Sequence, residues 1–72
     1  MNIYNRTFLS IRAGTRLKEL IYSNYTSQES FAEVFECDRR TVGRWIKNGI
    51  HNLDLIEKLA YFFKIDPLFF LS

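Results

Sequence analysis

The side chains best equipped to recognise another molecule lie close together in this chain. From Arg39 to Asn48 it reads RRTVGRWIKN. Val42, Trp45 and Ile46 recur at i, i+3 and i+4, so they share one face of a helix. Arg39, Arg40, Thr41, Arg44, Lys47 and Asn48 occupy other positions, and each brings a long or hydrogen-bonding side chain. No acidic residue occurs between Arg39 and Leu53. A helix held on one side and offering Arg, Lys and Asn on the other fits a DNA major groove. Bond-making chemistry has no comparable set. His51 is the only histidine and Cys37 the only cysteine, metal-ligand spacing is absent, and no glycine-rich loop is present to cradle a phosphate. The expectation is therefore a binding protein rather than an enzyme, with no cofactor and no metal.

The elements that must position this helix follow from capping and periodicity. Ser27 to Asn48, SQESFAEVFECDRRTVGRWIKN, reads as a short helix, a tight turn and a second short helix. The first of the two runs from about Gln28 to Glu36. Ser27 is its N-cap by residue type, although Thr26 with Glu29 also has capping-box spacing. Phe31, Ala32, Val34 and Phe35 are assigned to the core. Asp38 caps the second, Arg39 to Asn48. Arg39 and Arg40 stand at the unfavourable end of its dipole, at a cost of about 0.3–1 kcal/mol each when exposed. Residues set against local preference point to function. Gly49 is expected to close this helix in the left-handed conformation.

An earlier helix is predicted over about Ile11 to Asn24, with the apolar stripe Ala13, Leu17, Leu20 and Ile21. Gly14 either admits another helix closely or marks the start of this one. Residues 1–10 read as an N-terminal arm or as an early helix start, with Asn5 or Thr7 as a cap and Arg6 and Arg12 as phosphate contacts in the arm reading. A later helix, Leu53 to Lys64, has the wide apolar face Leu55, Ile56, Leu59, Ala60, Phe62 and Phe63. Asp66-Pro67 then opens a last short helix, Leu68 to Leu71.

Bulk properties bound the rest. The chain has 72 residues, of which 47% are hydrophobic and 17% aromatic, enough for one domain with one core. Net charge is only +2, but Arg39 to Lys47 concentrates positive charge while acids gather around 29–38 and 54–66, which suits one basic face. A lone thiol and no signal peptide fit the cytoplasm, and the longest apolar runs are far too short to cross a bilayer. Trp45 is assigned to the core because it is in register with Val42. Cys37 is assigned a small apolar packing role.

From Gly14 to Leu71 the pattern resembles the phage repressor/Cro-type helix-turn-helix family, also called XRE-like. The resemblance rests on GTRLKEL at Gly14 to Leu20, SQESFA at Ser27 to Ala32, CDRRTV at Cys37 to Val42, Leu59-Ala60, and KIDPL at Lys64 to Leu68. It implies an all-α, lambda-repressor-like bundle of five short helices, with the helix-turn-helix at 27–48. It also implies a DNA-binding repressor of the kind carried by phages and mobile elements, binding a near-palindromic operator as a homodimer. By position, Gln28, Arg39, Arg40 and Arg44 would read bases. Thr41, Lys47, Asn48, His51 and Asn52 would hold phosphates and set register. The chain departs from the family where it often has Gly, at Glu36, which requires a different or costlier turn. Many members pair an Arg at the Ile21 position with a Glu at the Ile46 position. Two isoleucines there are an apolar substitute for a buried ion pair, and the two are expected to touch.

A second function class competes: a protein-interaction module on the same fold, either an antitoxin or a phage-encoded inhibitor of a host protein. An apolar exposed face on the 39–48 helix would favour it. So would an exposed tail at Phe69, Phe70 and Leu71, the aromatic segment where a dimer partner, another protein or a further domain would dock.

Overall fold

The computed structural model describes residues 8 to 71. They form α1 (Phe8–Asn24), α2 (Gln28–Phe35), α3 (Arg39–Asn48), α4 (Leu53–Phe63) and a 3-10 segment, Pro67–Leu71. No strand occurs among the described residues, and the Cα radius of gyration is 11.4 Å, close to the ~11 Å expected of a compact chain this long. The all-α expectation is met, with four α-helices. The expected fifth is a 3-10 segment instead. The Asp66 carboxylate accepts from the Leu68 N–H at 2.9 Å, and the Asp66 carbonyl accepts from the Phe69 N–H at 2.9 Å. The i→i−3 pattern is the form that short helical pieces commonly take.

α2, α3 and α4 are each bounded by a local device. The Ser27 hydroxyl accepts from the Ser30 N–H at 3.1 Å and opens α2, which settles the cap in favour of Ser27. Asp38 opens α3 by accepting from the Arg40 N–H at 2.8 Å. Asn52, expected as a phosphate contact, opens α4 by accepting from the Asp54 and Leu55 N–H groups. α2 and α4 end alike. Glu36 and Lys64 take left-handed backbone, and the next N–H, of Cys37 or Ile65, reaches back to the carbonyl of Ala32 or Ala60 at 2.9 Å. This is the Schellman closure, usually built on glycine. The turn at Glu36 is thus the costlier one, by about 1 kcal/mol for a side chain in that region. Cys37 and Ile65, the residues that follow, both pack against the core.

Three boundaries differ from expectation. α1 is already helical at Phe8, the first described residue, rather than from about Ile11, so 8–10 follow the early-helix reading and not the arm, while Asn5, Arg6 and Thr7 lie outside the described residues. α4 stops at Phe63, with Lys64 as its cap. Gly49 does have positive φ, but its angles, 95° and 171°, are extended rather than left-handed helical. That region is essentially closed to other residues. It sends the chain straight into buried Ile50, whose N–H donates to the Ser10 carbonyl of α1 at 2.9 Å.

α1 is the strut on which α3 is hung. It packs chiefly against α3 and the 3-10 segment. A Cβ on Gly14 would overlap the Trp45 carbonyl oxygen, and one on Gly49 would come within 2.6 Å of the Ser10 carbonyl oxygen. The close-approach reading of Gly14 is the one observed. The core draws on every element: Ala13, Leu17 and Ile21 from α1, Phe31 and Ala32 from α2, Val42 from α3, Ile56, Leu59 and Ala60 from α4, then Phe70. Ile46 packs against this cluster, to which Ile21 belongs. Phe31 is its centre, with ring centroids of Tyr25, Phe35, Phe62 and Phe63 all between 5.3 and 5.6 Å away. Val34 corrects its assignment. It is 56% exposed, because the apolar face of α2 is only wide enough to bury Phe31, Ala32 and part of Phe35.

Candidate nucleic-acid interface

The face of α3 opposite the core is cationic and open. Val42 is fully buried, and Trp45 and Ile46 are half-buried against the core. The Trp45 ring meets Phe35 edge-on at 6.1 Å, as its register with Val42 demands. Arg39, Arg40, Arg44, Lys47 and Asn48 are exposed. None of the four cations has an ion pair among the described residues. Arg16, by contrast, is tied to Glu19 at 3.1 Å and lies over the Phe69 ring at 5.4 Å. Cations left unpaired on a helix backed by a packed core carry their full field toward solvent, where a polyanion would meet them.

The first turn of α3 faces the first turn of α2. A shallow concavity there is lined by Tyr22, Thr26, Ser27, Gln28, Glu29 and Arg39. Gln28 and Arg39, two of the expected readers, are thereby brought together. The Gln28 amide donates from Nε2 to the Tyr22 hydroxyl oxygen at 3.2 Å. Tyr22 went unassigned from sequence. The signal was present: an aromatic four residues after Lys18 stands on the polar side of the α1 stripe. At the far end of α3 a second shallow concavity joins Ile11, Lys47, Asn48 and His51. There the His51 ring Nε2 lies 3.1 Å from the Asn48 carbonyl oxygen, so the loop is fastened to the end of the helix. Ile11 is an apolar member of this surface that sequence reasoning passed over.

Two expected phosphate contacts have structural duties as well. The Arg44 guanidinium approaches the Thr41 hydroxyl, one turn back, at 3.5 Å. Thr41 itself is half-buried. Asn52 is exposed, but its side-chain oxygen is engaged in capping α4, which leaves only its amide N–H groups for another partner. Arg12 is exposed on α1, and Arg6 lies outside the described residues.

The remaining chemistry is sparse. Burial, and then the neighbouring Asp38 charge, push the Cys37 thiol above the usual thiol range, which makes it a poor nucleophile. Among the described residues no group of three or more His, Cys, Asp or Glu could hold a metal ion. No described helix is long and apolar enough to cross a membrane. Phe70 is fully buried, and Phe69 and Leu71 are half-buried, so the aromatic tail is largely folded in. Comparison with models of known protein families, with curated proteins and with solved structures finds no match for this chain.

Proposed function

We propose that this chain is a sequence-specific, double-stranded DNA-binding transcriptional regulator of the phage repressor/Cro type, acting in the cytoplasm. In this reading α2, the turn at Glu36 to Asp38 and α3 are the helix-turn-helix, and α3 enters the major groove. Gln28, Arg39, Arg40 and Arg44 read bases. Thr41, Lys47, Asn48, His51 and the amide of Asn52 meet phosphates. The operator is near-palindromic and is bound by a homodimer. The observation that carries the reading is the α3 surface. Four exposed cations, with no ion pair among the described residues, stand on a helix whose back is fixed by Val42, Trp45 and Ile46, with no acid from Arg39 to Leu53.

Selection of bound sequences from random duplex DNA, repeated over a salt series, tests this. A recovered palindrome and an affinity whose logarithm falls by about 0.9 per phosphate neutralised, for each tenfold rise in salt, are expected. Retention of no duplex, or of all sequences equally, would overturn sequence-specific reading.

A second reading, a protein-interaction module on the same fold, is favoured by one observation. An apolar cleft of about 760 Å³ lies between α2 and α4, lined by residues that include Val34, Phe35, Tyr61, Phe62 and Ile65. It lies off the cationic face of α3, so the two readings are compatible.

A further inference from the structure

Resting on the DNA-reading function proposed above, we infer that Gly43 and Tyr22 determine specificity: Gly43 opens a notch in α3 for the edge of one adenine, and Tyr22 positions the Gln28 amide that reads it.

The chain has three glycines, and packing explains two. Gly14 and Gly49 stand where α1 and the end of α3 leave no space for a Cβ. Gly43 is different. It sits in the middle of α3, where glycine is the poorest residue short of proline. A Cβ there would have a single neighbour, the Gln28 side-chain oxygen, at an ordinary 3.8 Å. Alanine fits, and the fold alone would be better served by it. The surroundings of this vacancy match the proposed interface. Arg39 and Lys47 are one turn away on either side, on the same row of the helix surface. Any side chain at 43 would stand in front of the Gln28 amide and hold a base away from it.

The chemistry of the notch follows from the amide. A glutamine reads adenine with two bonds, accepting from N6 and donating to N7. Gln28 has two N–H groups on Nε2, and one is used on the Tyr22 hydroxyl at 3.2 Å. The other N–H and the oxygen remain, and the oxygen is the atom nearest the space above Gly43. Tyr22 thus fixes the side-chain rotamer of a residue that would otherwise sweep the entrance of the notch. It is a positioning residue, and its effect is confined to the base pair that Gln28 meets.

Binding to the selected operator and to its single-pair variants tests the inference, using wild type, Gln28→Ala, Tyr22→Phe, Gly43→Ala, Gly43→Leu and Arg44→Ala. Gln28→Ala is expected to erase the preference at one A·T pair. Tyr22→Phe should weaken that preference by roughly five- to tenfold and leave the other pairs unchanged, a pattern that a purely structural role would not produce. Gly43→Ala should raise the melting temperature by about 4 °C and lower operator affinity at least tenfold, with discrimination lost at the same pair. Gly43→Leu, checked for folding by circular dichroism, should lower it further. An operator still sensitive to Arg44→Ala but indifferent to Gly43→Ala and Tyr22→Phe would overturn the inference alone. Loss that is equal on all sequences would overturn the adenine assignment, since the notch would then face the sugar–phosphate strand. If wild type selects no operator, the proposed function fails and the inference fails with it.

Discussion

Two open surfaces of this molecule are built on opposite terms. The α3 face is cationic and is backed by the core, and the vacancy at Gly43 is fenced by Arg39 and Lys47. The α2–α4 cleft is apolar, with Val34 56% and Tyr61 86% exposed, and carries Lys58 and Lys64 among its lining. Both surfaces depend on Phe31, which joins α2 to the rings of α4 and, through Phe35, to Trp45 on α3. The difference lies in how far each surface is held. Arg39 to Asn48 ride on a helix gripped at Gly14, Ile50 and Val42, so their spacing is set before any ligand arrives. Val34 and Tyr61 stand largely exposed on α2 and α4, at the edge of the cleft. A preorganised charged surface suits a ligand with a fixed repeat of charge; an apolar cleft suits a partner that supplies its own apolar surface.

The largest effect expected is a failure of both surfaces together. Phe31→Ala removes a fully buried ring from the centre of the cluster and should cost about 3–5 kcal/mol. That is most of the stability of a chain this small, and urea unfolding would show it as loss of the cooperative transition. A variant that unfolds like wild type would mean the two surfaces are not joined through this ring.

The next effect should separate the surfaces. Arg44→Ala is expected to weaken operator binding by about 1–3 kcal/mol and to relax one base preference, leaving the melting temperature within a degree or two of wild type. Tyr61→Ser should do neither. Equal losses of DNA affinity in the two variants would erase the contrast and tie the cleft to the DNA-bound state.

Smaller and opposite in sign is the effect of the turn that joins α2 to α3. Glu36→Gly relieves a side chain in left-handed backbone and should stabilise by about 1 kcal/mol. Lys64→Gly, at the equivalent closure of α4, should match it. Thermal melts of the two single variants and the double test whether the closures contribute alike. If Glu36→Gly stabilises and Lys64→Gly does not, the two ends differ in more than their neighbours.

The smallest effect is a pH dependence from the Schellman residue beside Asp38. The Cys37 thiol is raised by burial and by that charge, so the folded chain holds its proton at pH values where the unfolded chain has begun to release it. The contribution is complete below the ordinary thiol range and is lost as pH rises through the folded value. Stability measured across alkaline pH should therefore fall slightly more steeply in wild type than in Cys37→Ala. Alkylation of the thiol should be slow until the same range.

Helix placement was largely legible in the sequence, because caps and periods are local. Asp38, Ser27 and the Val42, Trp45 and Ile46 triplet locate α2 and α3 to within a residue. The Leu55-to-Phe63 face does the same for α4. The candidate site was legible as a set of residue types on one helix face. It was not legible as an arrangement. Asn52 has the residue type of a phosphate contact, yet its oxygen is engaged on two N–H groups of α4. Val34 had the helical spacing of a core residue, yet it is 56% exposed at the edge of the α2–α4 cleft.

What the sequence determined by itself is the all-helical character, the ends of α2 and α3, and the concentration of positive charge on one face of α3. Each follows from interactions between residues no more than one turn apart. What only the tertiary structure decided is which faces are covered and which distant residues meet. Gly14 and Gly49 became contact points, Phe70 went inward and Tyr61 outward. Tyr22 was brought to Gln28 and Gln28 to Gly43. A helical period tells which way a side chain leaves its own axis. It says nothing about which other helix stands there, and that is set by the one packing of four short helices that buries Phe31.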